Sequence, residues 1–366
     1  MMLLTALLLL GGRTLPRDPL RQIPLLAAFL LANTLFVLML KTGKTDRFRA
    51  VLFVAVAVGF VLSFIPNLLE VRGNMGLTGD DIIQGKTPFC HMVIPMTIIP
   101  AALTRTIIFP GLMLTGFASI ASMLTLWLGV TLVLGRGFCA WGCFFGGLEE
   151  GLSRVRKRPL IKKIAAHWSY LPYAVLATIV VLAAATLSPT YCEWLCPFKS
   201  VTEYFAVTNL KTAIQAVIFV ALFVALVLVL PVLTGKRTQC GLFCPMGAFQ
   251  GLTNPVSAFE VRIDRSACGA CGHCERVCPT FSLDQNSIAR GKARTSCMRC
   301  GRCVDACPKK APAFHVKGTA LSARTSGRLL FLYPAFLFLT VFGSGMIQDG
   351  LYRVLLLVST GSILAR

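Results

Sequence analysis

Fifteen cysteines occur in this 366-residue chain, and their spacing is the first sign of chemistry. Residues 268–307 read Cys268-x2-Cys271-x2-Cys274-x3-Cys278-Pro279, then Cys297-x2-Cys300-x2-Cys303-x3-Cys307-Pro308. This is the run of a bacterial two-cluster ferredoxin, in which the fourth cysteine of each motif serves the other cluster. Three thiolates on one tight loop reach three irons of a cubane, and a Cys-Pro from the partner motif caps the fourth. The expected ligand sets are Cys268, Cys271, Cys274 and Cys307 for one [4Fe-4S] cluster, and Cys297, Cys300, Cys303 and Cys278 for the second. Gly269, Gly272 and Gly301 suit a backbone that wraps closely around a cluster. A zinc-knuckle pair or disulfides are the competing uses of eight thiols. The doubled order fits zinc poorly, and disulfides fit a cytoplasmic segment poorly. His273 reads as a loop residue rather than a ligand.

Six more cysteines come in pairs three residues apart: Cys139/Cys143, Cys192/Cys196 followed by Pro197, and Cys240/Cys244 followed by Pro245. Each pair lies just beyond an apolar run. A four-residue step puts both sulfurs on one face of a helix, and a loop clamping one metal edge serves equally. Buried apolar cysteine explains one such pair easily and three poorly.

The elements that must position these thiols are membrane spans. Fifty-five per cent of the residues are hydrophobic and only 14% charged, against about a quarter charged in a soluble domain, and the formal charge is +21. Spans of ~20 apolar residues are expected at Ile23–Leu40, Val51–Leu69, Gly111–Leu134, Tyr170–Leu187, Thr212–Leu233 and Leu329–Ile347. Met2–Leu10 and the tail Tyr352–Leu364 read as surface segments. Met92–Pro110, broken by Pro95, Pro100 and Pro110, reads as re-entrant or interfacial. The expected fold is an all-α polytopic membrane protein of about six transmembrane helices with an inserted ferredoxin-like α+β domain. Its divisions are 1–234 (spans one to five), 235–328 (the ferredoxin-like domain) and 329–366 (last span and tail).

Charge orients the spans, because cytoplasmic loops collect Lys and Arg. The connections after spans one, three and five hold 26 of the 36 basic residues, whereas 69–110 and 189–211 are balanced in sign. The basic excess is then a topology signal, and nucleic acid is not needed to explain it. The ferredoxin-like domain is expected in the cytoplasm, on a bacterial-type inner membrane. Arg276, Arg299, Arg302, Lys309 and Lys310 read either as retention charges or as a docking face for an acidic redox partner. In this topology Cys139, Cys143, Cys240 and Cys244 share the inner face and suffice for one further iron–sulfur cluster. Cys90, Cys192 and Cys196, with His91 or an outside ligand, form a candidate outer site; a Cys192–Cys196 disulfide is its competitor. Arg105 is a candidate contact for a quinone headgroup or a cluster, or a snorkelling helix-end arginine. None of the four histidines lies mid-span, no Cys-x2-Cys-His occurs, and no glycine-rich nucleotide fingerprint precedes a helix.

With Cys192–Pro197, Cys240–Pro245 and the doubled run in this order, the chain resembles the NapH/NosR-type membrane polyferredoxins over roughly residues 50–350. Cys139/Cys143 departs from the pattern in being followed by Phe144, not Pro. The resemblance implies electron transfer between a quinol or cytoplasmic donor and an extracytoplasmic or membrane partner oxidoreductase. A related alternative is a copper-reducing assembly factor of the CcoG type.

Overall fold

The computed structural model describes residues 2–10, 16, 18–72, 90–105, 112–113, 116–117, 120–162, 164, 166–202, 207, 209–320 and 324–364. Among them, five helices are long and apolar enough to cross a membrane, or six if one sharply bent pair counts as a span. Helix α1 (Met2–Leu10) is followed by α2 (Pro19–Thr42) and α3 (Thr45–Arg72). Asp18 starts α2 by accepting from the Leu20 N–H at 3.0 Å, and Gly43 ends it in the left-handed region, as N-caps and C-caps require. Although Met2 and Leu3 are exposed, α1 is not merely a surface segment: the Thr5 hydroxyl donates to Asn33 Oδ1 of α2 at 3.2 Å.

The proline-broken segment forms α4 (Ile94–Thr104), which starts with Pro95 in its first turn and ends where Arg105 turns left-handed. Residues 106–110, and with them Pro110, lie outside the described residues. The third expected span, Gly111–Leu134, corresponds to the sharply bent pair. Among the described residues its helix α5 is Ile120–Val133, and Leu112–Met113 pairs antiparallel with Gly116–Phe117 ahead of it. Fourteen residues reach about 21 Å at 1.5 Å per residue. The chain then bends by 100° into Gly135–Trp141.

Helix α6 (Phe144–Leu152) packs on α3, where Gly147 lies against the Phe53 carbonyl. Helices α7 (Leu171–Thr186) and α8 (Leu210–Thr234) cross next, and α9 (Pro245–Thr253) folds back beside α7. The last helix, α10 (Arg324–Thr360), has 37 residues. The tail expected as a separate surface segment is therefore its final part. Buried Arg353 explains the continuity: it pairs with Glu70 and reaches Asn67 at the end of α3. Midway along, a Cβ on Gly59 would collide with the Met346 carbonyl, so glycine lets α3 and α10 touch backbone to backbone.

Between α9 and α10 sits a small lobe on a two-stranded antiparallel sheet, Phe259–Ile263 with Pro312–Val316, in the register Phe259↔Val316 to Ile263↔Pro312. Its three helices have five residues each. Such short elements bury little of their own, and cysteine is a large part of the lobe's core: Cys274, Cys278, Cys300 and Cys303 join Val261, Ile263, Leu283, Ile288 and Phe314 in it.

Candidate functional site

Two cavities in the lobe are each ringed by four cysteines. One is lined by Cys268, Cys271, Cys274 and Cys307, with Ile263 and Ala311 behind them. The other is lined by Cys297, Cys300, Cys303 and Cys278, with Val261 and Leu283. The fourth cysteine of each motif thus stands in the other motif's ring. Among the described residues no three His, Cys, Asp or Glu side chains are gathered closely enough for a single metal ion. Four thiols spread around a cavity suit a wider, multi-iron group. Burial pushes the thiols of Cys274, Cys297 and Cys303 up, and that of Cys300 up to about 12. Such thiols ionise only against a cation.

The two rings differ in setting. Cys271 is exposed, as are Gly269, Ala270, Lys309 and Lys310 around the first ring, whereas Cys278, Cys300 and Cys303 are buried. Cys278 also accepts from the Ser282 N–H at 3.3 Å through its sulfur. His273 opens the short helix His273–Val277 at the rim of the first cavity.

The second ring rests on the membrane domain. The Trp141 indole donates to the Arg299 carbonyl at 3.1 Å. Arg49 donates to the carbonyls of Cys300 (3.0 Å) and Ala140 (2.9 Å), and pairs with Glu150 at 2.9 Å. Arg237 donates to the Cys139 carbonyl at 2.8 Å and the Cys240 sulfur at 3.1 Å, and its N–H reaches the Pro279 carbonyl at 2.9 Å. Arg299, a candidate docking charge, is instead buried and donates to the Leu134 and Phe259 carbonyls.

The three Cys-x3-Cys pairs share one local design. In the turns at Tyr191–Leu195 and Gln239–Phe243 the backbone widens to the π pattern. In the first pair the Cys143 N–H likewise reaches five residues back, to the Phe138 carbonyl at 3.1 Å. The second cysteine is then extended and a helix follows: φ/ψ is −77/104° at Cys143, −79/107° at Cys196 and −70/117° at Cys244. A following proline enforces this conformation at Cys196 and Cys244, and Cys143 adopts it before Phe144. In all three turns a following backbone N–H points at the cysteine: Gly247 donates to the Cys244 sulfur at 3.3 Å, Gly146 to the Cys143 carbonyl at 2.9 Å, and Lys199 to the Cys196 carbonyl at 3.3 Å.

A 4Fe-4S dicluster domain model matches residues 260–319, and a 4Fe-4S binding domain model matches three times, at 115–163, 168–212 and 216–263. The three matches contain one Cys-x3-Cys turn each. The chain is 29% identical over 174 residues to an uncharacterized protein of Methanocaldococcus jannaschii, covering 44% of this chain and 68% of that one. It is 29% identical over 145 residues to the ferredoxin-type protein NapH of Escherichia coli (39% of this chain, 47% of NapH). It is 28% identical over 146 residues to the methylamine utilization ferredoxin-type protein MauN of Methylobacillus flagellatus (40% and 48%). These relatives and domain matches support a NapH-type polyferredoxin family for the chain. The match spans about half the length of the NapH and MauN relatives. No solved structure matches.

One guanidinium nitrogen of Arg237 donates to both the Cys139 carbonyl and the Cys240 sulfur, and Cys143 and Cys244 are buried in one core cluster, so the structure brings these two turns together. Cys196 is buried in the same core cluster as Cys143 and Cys244, and Cys90 and Cys192 pack against that cluster. His91, grouped by sequence with Cys192 and Cys196, lies with its ring 5.0–6.0 Å from those of Phe138, Phe144 and Phe145, which flank the Cys139–Cys143 turn. Arg105 is exposed at the end of α4. Sequence reasoning missed Arg49, Arg237 and Glu149. Glu149 accepts from the N–H groups of Gln239 (2.6 Å) and Cys240 (3.0 Å), which clamps the third turn. A Glu-Glu pair beginning six residues after Cys143, in an apolar stretch, is the signal that points to it.

Proposed function

We propose that this polyferredoxin is a membrane-bound electron-transfer subunit. Cys268, Cys271, Cys274 and Cys307 hold one [4Fe-4S] cluster of the lobe, and Cys297, Cys300, Cys303 and Cys278 hold the other. Such clusters, when bound, supply reversible one-electron carriage. The observation that carries this reading is the pair of cavities, each ringed by one motif's three cysteines and the other motif's fourth.

The surroundings of the rings support a direction of contact. The exposed loop at Gly269–Cys271, beside Lys309 and Lys310, offers itself to a soluble or membrane partner. The buried ring is pressed by Trp141, Arg49 and Arg237 onto the Cys139 and Cys240 turns. Cys139, Cys143, Cys240 and Cys244 hold a further iron–sulfur group there, and Cys90, Cys192 and Cys196 belong to a second membrane site, with His91 as its fourth candidate. The lobe faces the cytoplasm of a bacterial-type inner membrane, on the side where the connecting loops collect basic residues. The donor is a quinol or a cytoplasmic reductant, and the acceptor an extracytoplasmic or membrane partner oxidoreductase.

Metal reduction is the second reading. It is favoured by soft donors beside the thiols: Met92 Sδ lies 3.9 Å from Cys244 Sγ, and the buried His91 Nε2 has no hydrogen-bond partner. Replacing Cys90 by Ser tests the membrane sites. Electron transfer predicts loss of one EPR signal with the lobe signals intact. Retention of every signal removes Cys90 from the account, and tightly bound copper released by the substitution favours metal reduction.

A further inference from the structure

The turn carrying Cys192 and the turn carrying Cys240 start from opposite ends of the membrane domain, because α7 crosses it and α8 crosses back. Neither turn stays at its end. The Thr190 hydroxyl donates to the Ile179 carbonyl at 3.3 Å, seven residues back from the last residue of α7, Thr186. The Thr238 hydroxyl donates to the Leu226 carbonyl at 2.6 Å, eight residues back from the end of α8, Thr234. At 1.5 Å per residue the two turns re-enter by about 10 and 12 Å. The sequence makes the second of these anchors available. Residues Phe223–Val229 are wound as a π-helix, and just past it the Leu230 N–H reaches five residues back to the Ala225 carbonyl; the same step from residue 231 would end at the Leu226 carbonyl. Residue 231 is proline and has no N–H, so the Leu226 carbonyl is left for Thr238.

The two turns meet inside. Gln239 Nε2 donates to the Tyr191 phenol oxygen at 2.9 Å, and both side chains are fully buried. Tyr191 directly precedes Cys192, and Gln239 directly precedes Cys240. Tyr191 is buried in one core cluster with Cys196 and Cys244, and Cys192 packs against that cluster. The remaining amide oxygen, Gln239 Oε1, is buried with no hydrogen-bond partner. A polar pair with an orphaned oxygen is costly among apolar side chains, and packing alone would favour Phe and Leu at these positions.

We infer that Tyr191 and Gln239 are the positioning residues that join the two membrane thiol sites, giving the electron a path of covalent bonds and one hydrogen bond between turns from opposite faces. The inference rests on the electron-transfer reading above. One electron leaves the site of Cys139, Cys143, Cys240 and Cys244, which is oxidised, and reaches the site containing Cys192 and Cys196, which is reduced. No bond forms or breaks, and Tyr191 keeps its proton. The electron originates with a one-electron reductant acting on the lobe. The hydrocarbon core is ~30 Å thick, and electronic coupling decays more slowly through bonds than through a gap, so removing the bridging hydrogen bond slows transfer without removing either site.

The test uses the full chain in sealed proteoliposomes, with dithionite outside and ferricyanide trapped inside. Tyr191→Phe removes only the hydroxyl, and Gln239→Met removes the amide at similar volume. Both variants are expected to keep the iron content and every EPR signal of the unmodified protein. Both slow transmembrane electron transfer at least several-fold, while the dipolar broadening between the two membrane signals, set by their distance, stays as it was. A transfer rate equal to that of the unmodified protein in both variants overturns the inference, and so does a loss of broadening, which would mean that the pair only holds the sites in place. Should Tyr191→Phe fail to accumulate, Gln239→Met decides alone. If the unmodified protein itself shows no membrane-site signal, the electron-transfer reading fails first, and that outcome is distinct.

Discussion

The guanidinium of Arg237 and the sulfur of Cys240 lie 3.1 Å apart, and the same guanidinium reaches Met298 Sδ, between Cys297 and Cys300, at 3.1 Å. One buried positive charge therefore touches both a membrane turn and the second ring of the lobe.

A positive charge beside an iron–sulfur site stabilises its reduced, more negative form. Arg237→Met is expected to shift the midpoint potential of the site on Cys139, Cys143, Cys240 and Cys244 to more negative values, while the ring containing Cys271 keeps its own. A redox titration followed by EPR reads this. Unshifted membrane signals would show that Arg237 only packs.

Glu150 is the negative centre of this contact. It is fully buried and pairs with Arg49 at 2.9 Å, Arg154 at 2.5 Å and Arg237 at 3.5 Å. Removing one partner of a buried pair costs about 3–5 kcal/mol because the remaining charge is left uncompensated. Glu150→Gln is expected to destabilise the junction of lobe and membrane domain by about that much. Thermal unfolding in detergent, or protease cutting within 259–316, measures it.

Cys307 lies in the sequence of the second motif but lines the cavity of the first. Cys307→Ser is therefore expected to alter the EPR signal that Cys271→Ser alters, and to spare the signal that depends on Cys300. The reverse dependence would mean that each motif is self-contained.

These residues also mark how far the sequence could be read. The ferredoxin run is legible because its eight cysteines fall within forty residues, and their spacing anticipates which four line each cavity. The pairing of Cys139/Cys143 with Cys240/Cys244 followed from counting charges loop by loop. The same counting treated Arg49, Arg136, Arg237 and Arg299 as loop charges, yet all four are buried, each serving carbonyls or thiols of another segment. Which loop charge turns inward depends on tertiary contacts that no local pattern encodes. The re-entry of the turns was hidden for a similar reason. Hydropathy reports where an apolar run ends, not whether the chain then doubles back, and the Thr190 and Thr238 anchors lie 11 and 12 residues from their acceptors. The bend after α5 leaves a trace only in Gly135, which adopts φ 52°.

Gly59 and Gly350 face each other where α3 meets α10, so closely that a Cβ on either would strike backbone. A larger residue must push the helices apart, and overpacking of this kind costs about 1–3 kcal/mol. Gly59→Val is expected to lower the thermal stability of the membrane domain while leaving the lobe EPR signals unchanged. An unaltered melting temperature would mean that the helices separate at no cost.

The central claim, that the chain carries iron–sulfur groups in the membrane domain as well as in the lobe, is tested most directly by iron and acid-labile sulfide content of the purified full-length protein. Two [4Fe-4S] clusters account for about eight irons and eight sulfides per chain. The account predicts about twelve or more of the iron, with the excess lost on Cys139→Ser. A value of about eight that does not respond to Cys139→Ser would contradict it.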